Sequence, residues 1–167
     1  LNSERFVFTE RGREVRELFP TYDDTVTMGQ LPLALEAKDL SGDLIDLKQL
    51  AGRPVVVVAF SVANAESRDE LVRLKQVHQE LSPKGLEVIA ISTDPSDSEA
   101  AVRKFRDDQA LPFPIVFDGK GLDTPFAAHY RLTAVPFRLI IGRNGRIFAI
   151  NPKGIVLEAT AKAATGT

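Results

Sequence analysis

A strand that runs into a helix N-terminus brings free backbone N–H groups and the positive end of the helix dipole to one point, a setting suited to reactive side chains. In this chain the junction is VVVVAFSVANAESRDELVRL, residues 55–74. Its corner holds Ala63, Asn64, Ala65, Glu66 and Ser67. Asn is among the best helix N-caps, and a carboxylate such as Glu66 suits the first turn. Together they account for the corner as a helix start worth roughly 1–2 kcal/mol. The functional alternative is a hydrogen-bonding contact to a partner. Ser61 and Ser67 lack the glycine-flanked elbow that exposes a hydrolase nucleophile, and an unactivated hydroxyl is a poor one.

Other reactive groups are scarce. The chain contains no cysteine, which removes thiolate nucleophiles, disulfides and sulfur ligands together. His78 and His129 are the two histidines, and no acidic residue stands at a metal-ligand spacing from either. The residues therefore call for no metal and no cofactor. A formal net charge of −2 gives no strong pull toward nucleic acid or an anionic membrane. The longest apolar run, Val55 to Phe60, is far too short to span a membrane. At 167 residues the chain buries enough surface to fold without a staple. It opens at Leu1 with neither Met nor an apolar signal segment, as a processed form or a piece of a longer protein would.

The elements that must position the corner follow from periodicity. Leu33–Ala37 and Leu44–Leu47 flank Ser41-Gly42-Asp43, the pattern of a small hairpin. Lys48 to Gly52 is a brief helical turn, and Pro54 to Phe60 a strand covered on both faces. The following helix carries Leu71, Leu74, Val77 or His78, and Leu81 at helical spacing, and its charged residues from Glu66 to Glu80 read as a solvated face. Leu86–Ile91 is a second buried strand. Ser96 and Glu99 are spaced as a capping box for a helix with Val102 and Phe105 on its inner face. Ile115–Phe117 suggests another strand, and Phe137–Ile141 and Ile147–Ile150 flank a two-residue Asn144-Gly145 hairpin signal. The Ala-rich tail from Gly154 suggests a short helix that frays. Residues 13–18, before Pro20, suggest a short helix in an N-terminal arm that packs on the domain or on whatever precedes it. The order implies an α/β domain, a mixed central sheet with helices on both faces.

Taken in order, these segments resemble the thioredoxin-like redoxins, in particular the TlpA-type thiol-disulfide oxidoreductases and the broader AhpC/TSA group. The likeness runs from about Gly29 to Gly154. It rests on Leu44–Leu50 with Gly52-Arg53-Pro54, the strand to Phe60, and the helix led by Ser67-Arg68-Asp69-Glu70-Leu71. Gly85 to Asp94, Phe113-Pro114, Asp118, Tyr130 to Pro136 and the Asn-Gly turn between Ile141 and Ile147 complete it. The resemblance implies a thioredoxin-like fold with an added N-terminal hairpin, over residues 28–167, preceded by an arm or linker over 1–27. Active members carry Trp-Cys-x-x-Cys and a basic residue at the corner. Setting Arg68 on that basic residue places Asn64 and Ser67 at the two cysteines and Ala63 at the tryptophan. The family's dithiol chemistry then does not carry over, because neither Asn nor Ser forms a disulfide.

The resemblance also marks Val135-Pro136, where the family's proline is cis, faces the corner, and follows backbone that pairs with an extended substrate. Backbone pairing needs no cysteine, so a peptide-binding edge formed by Ala63–Ser67 with Val135 and Pro136 can outlast the chemistry. The bland alternative is a turn that only joins two elements. Asp94 and Asp118 fall at family positions suited to turns and helix caps. The resulting expectation is a redox-inactive module that binds a protein or extended peptide, or is purely structural. Two rivals stand beside it: an enzyme whose cysteines were removed by engineering, and a small-ligand or anion site at the helix N-terminus, which Glu66 opposes. Active relatives are commonly extracytoplasmic in bacteria, and the resemblance implies that location for the parent protein.

Overall fold

Val55–Phe60 (β5) lies at the centre of the molecule with all six residues buried. The structure is a computed structural model that describes residues 22–166 together with the backbone of two strands, Arg5–Phe8 (β1) and Val15–Leu18 (β2). β1 and β2 pair antiparallel, with Arg5 opposite Leu18 and Phe8 opposite Val15. That corrects the short helix read from residues 13–18. Six residues barely repay the nucleation cost of a helix, whereas a paired strand gains a ladder at once. Arg13, Glu14 and Pro20 lie outside the described residues, as does the expected packing of the arm.

Glu36–Lys38 (β3) and Leu44–Asp46 (β4) form the expected hairpin. The Asp39 carboxylate accepts from the N–H groups of Ser41 and Asp43 at 2.9 Å each, and Gly42 supplies a φ of +89° that few other residues tolerate. A turn of 3₁₀ helix, Leu47–Leu50, follows with Asp46 as its cap.

The main sheet adds Glu87–Ser92 (β6), Ile115–Val116 (β7), Phe137–Ile141 (β8) and Ile147–Ile150 (β9), in the order β7-β6-β5-β8-β9. β5, β6 and β7 run parallel, and β8 and β9 are antiparallel additions. Alternation along β5 divides the core. Val56, Val58 and Phe60 face the helices Ala65–Leu81 (α1), Glu99–Gln109 (α2) and Ile155–Thr165 (α4), through Leu71, Leu74, Val102 and Leu157. Val55, Val57 and Ala59 face Phe126 and Ala127 of the short helix Pro125–His129 (α3) and Leu35 of the N-terminal layer. Helices thus cover both faces, as a thioredoxin-like fold requires.

Three local features depart from the sequence reading. The Ser96/Glu99 capping box does not form. Ser96–Ser98 is a 3₁₀ turn whose donors find backbone carbonyls, Ser98 N–H reaching Pro95 O at 3.0 Å. The β8–β9 loop centres on Arg143-Asn144, with Gly142 accepting from Gly145 at 2.9 Å, and only Gly145 takes a positive φ, +78°. A two-residue Asn-Gly turn would need Asn144 there as well. The tail is no frayed end: Leu157, Ala161 and Ala164 are buried, and the Arg143 guanidinium donates to the carbonyls of Lys84 and Thr165 at 2.8 and 3.0 Å.

Candidate functional site

Asn64 opens α1. Its Oδ1 accepts the Ser67 N–H at 2.8 Å from an extended backbone, so the side chain spends its acceptor on the first turn. Ala63, Ala65 and Glu66 are exposed around it, whereas Ser67 is fully buried. The Ser67 Oγ turns inward and accepts from the Ser61 N–H at 3.2 Å. A hydroxyl held that way presents nothing to a substrate.

Asp94 anchors the corner from below. It follows β6, is buried, and takes the Ser61 hydroxyl at 2.7 Å, the Ser92 hydroxyl at 2.7 Å and the Val62 N–H at 3.2 Å to each oxygen. Ser61 Oγ in turn accepts the Ala63 N–H at 3.1 Å. The loop from β5 to α1 is therefore pinned through one carboxylate, a larger task than the turn or cap expected for Asp94. Arg68 completes the frame by donating to the Val62 carbonyl at 2.6 Å.

Val135 and Pro136 stand at the same end of the sheet. Ala59 pairs with Phe137 across β5 and β8, so the residues just before Phe137 face the loop that leaves β5 after Phe60. The Val135–Pro136 bond is cis; Val135 is half-buried and Pro136 buried. No hydrogen bond joins the Val135 backbone to another described residue.

Beneath both features lies an ion pair absent from the sequence reading. Glu70 on α1 accepts from Arg138 on β8 at 2.8 Å, with side chains 6% and 4% exposed. This corrects the view of Glu66–Glu80 as wholly solvated. Glu70 lies one turn from Ser67 and Leu74 on the inward stripe, so helical spacing alone could have found it. Arg138 sits within the wholly buried run Phe137–Ile141, the matching signal on its partner. Its guanidinium also donates to Asn151 Oδ1 at 2.9 Å and to the Pro136 carbonyl at 3.3 Å. Glu70 Oε2 and Arg138 Nε have no hydrogen-bond partner among the described residues.

The two histidines stay apart from the corner chemistry. His78 meets Phe113 edge-on at 6.1 Å between ring centres, and His129 meets Tyr130 at 4.7 Å. Among the described residues no group of three His, Asp or Glu side chains could hold a metal ion, and no helix is long and apolar enough to cross a membrane.

Comparison with known proteins gives this geometry a family. The thiol-disulfide oxidoreductase ResA of Halalkalibacterium halodurans is 28% identical over 127 residues, 76% of this chain and 69% of that protein. The thioredoxin-like protein YneN of Bacillus subtilis is 29% identical over 134 residues, 78% of this chain and 76% of that one. The thioredoxin domain of a thiol-disulfide oxidoreductase from Bacteroides vulgatus has the same fold, with a TM-score of 0.74 at 21% identity, over 83% of this chain and 97% of that one. A thiol:disulfide interchange protein from Bacteroides sp. matches with a TM-score of 0.73 at 19% identity, over 86% and 93%. The sequence pattern of the AhpC/TSA family matches residues 28–158, and the chain belongs to that family, with a thioredoxin-like fold and no cysteine in its sequence.

Proposed function

We propose that this domain is a redox-inactive member of its family that binds an extended peptide segment of a partner protein along Val135, opposite the Ala63–Ser67 corner. The observation that carries the reading is the Val135 backbone, without a hydrogen-bond partner among the described residues, beside an exposed corner. An extended segment laid there gains main-chain hydrogen bonds without any thiol. Asp94, Glu70 and Arg138 hold the two sides in fixed relation, which lowers the ordering cost of binding.

A peptide array probed with the whole chain, followed by ¹⁵N NMR titration of the peptides retained, tests this. Saturable shifts centred on Ala63–Ser67 and Val135 are expected, abolished by Ala63→Arg, a change at an exposed position. Absence of any retained peptide, or shifts that map elsewhere and ignore Ala63→Arg, leaves a purely structural role.

A further inference from the structure

A cleft of about 370 Å³ opens at the far end of the sheet from the corner. Its apolar wall includes Leu33, Leu47, Leu50 and Ile141, and Lys48 and Arg53 are the charged residues that line it. It lies where β5 enters the sheet at Val55, paired with Ile141, and the corner follows Phe60. Five strand steps of about 3.3 Å put roughly 17 Å between the two places. The cleft is therefore separate from the peptide-binding edge proposed above.

Volume and lining decide the class of ligand. Small-molecule sites occupy about 300–1,000 Å³ and are mostly apolar with a few polar groups that fix orientation. Among the described residues no carboxylate lines this cleft, while two cations do. Arg53 is paired with Glu87 at 3.0 Å. Lys48 has no ion-pair partner among the described residues, and Asp46, its nearest acidic neighbour in sequence, accepts from the Lys48 backbone N–H. Among the described residues, one positive charge thus stands without a counterion beside an apolar hollow.

We infer that the cleft binds a small amphipathic anion: an apolar chain or ring bearing one carboxylate, with its body against Leu33, Leu47, Leu50 and Ile141 and its charge beside Lys48. The chain's formal net charge of −2 offers such an anion no general attraction, so binding has to be local. Calorimetric titration of the whole chain with decanoate, below its micelle concentration, reads this directly. Decyltrimethylammonium is the same-tail control of opposite charge.

Saturable decanoate binding is expected, at least tenfold tighter than the cationic control. Ala34→Phe, which fills the cleft from an exposed lining position, should weaken it tenfold or more. Lys48→Glu, a change on an exposed side chain that leaves the apolar wall intact, should reverse the preference between the two head groups. The inference is overturned if decanoate does not saturate, if both head groups bind equally, or if Lys48→Glu leaves the preference unchanged. Co-sedimentation with phosphatidylglycerol vesicles in the absence of decanoate binding also overturns it, in favour of a membrane surface.

Discussion

Asp94 gathers the Ser61 hydroxyl and the Val62 N–H from the loop it supports and the Ser92 hydroxyl from the end of β6, so its removal strands three donors at once. Each buried donor left without an acceptor costs about 1–3 kcal/mol. Asp94→Ala should therefore lower unfolding stability by roughly 3 kcal/mol or more, read as a shift of the urea midpoint at constant slope. Asp94→Asn keeps one acceptor oxygen in the same shape and should lose about half as much. Equal losses for the two variants would assign the effect to the charge and not to the hydrogen bonds. At this scale the sequence was only partly legible. Asn64 as an N-cap follows from its type and place, and the structure has it accepting from Ser67. The role of Asp94 was hidden because Ser61 stands 33 residues away in sequence, and nothing local announces that the two meet.

Between elements, the pair Glu70–Arg138 ties α1 to the strand that follows Pro136 across 68 residues of sequence. Breaking one side of such a pair leaves a buried charge without a counterion, at about 3–5 kcal/mol, whereas replacing both sides with apolar groups of similar size is often neutral or stabilising. Arg138→Met alone should thus be severely destabilising. The double variant Glu70→Leu/Arg138→Met should recover to within about 2 kcal/mol of the parent in urea denaturation. A double variant no more stable than Arg138→Met would show that Arg138 acts through Asn151 and Pro136 instead. Periodicity placed α1 and β8 well because their apolar stripes are long and regular. It misjudged the capping box, since a 3₁₀ turn can satisfy helix donors with carbonyls that sequence spacing does not reveal.

Across the whole molecule, the second face of the sheet is covered by α3 together with the chain that precedes β5, and Tyr130 fastens that N-terminal layer. Its carbonyl accepts from Asp23 at 2.6 Å and its hydroxyl oxygen accepts from the Leu33 N–H at 2.8 Å, while its ring lies 4.9 Å from Phe126 and 6.1 Å from Phe137. Burial raises the Tyr130 pKa above the ordinary tyrosine value, against a smaller opposing effect of the Leu33 N–H. A raised folded-state pKa gives stability that is complete below the unfolded value, about 10, and is lost as pH rises through the folded one. At neutral pH Tyr130→Phe should cost roughly 1–2 kcal/mol, because the Leu33 N–H loses its acceptor. Above pH 10 the parent alone pays the additional ionisation penalty, so the gap between the two proteins should narrow. Urea midpoints of parent and variant at pH 8 and pH 11 measure this, since the lysines and other tyrosine titrate in both. A gap that stays constant would mean that Tyr130 ionises as readily in the folded protein as in the unfolded chain, so that its burial places no penalty on the phenolate.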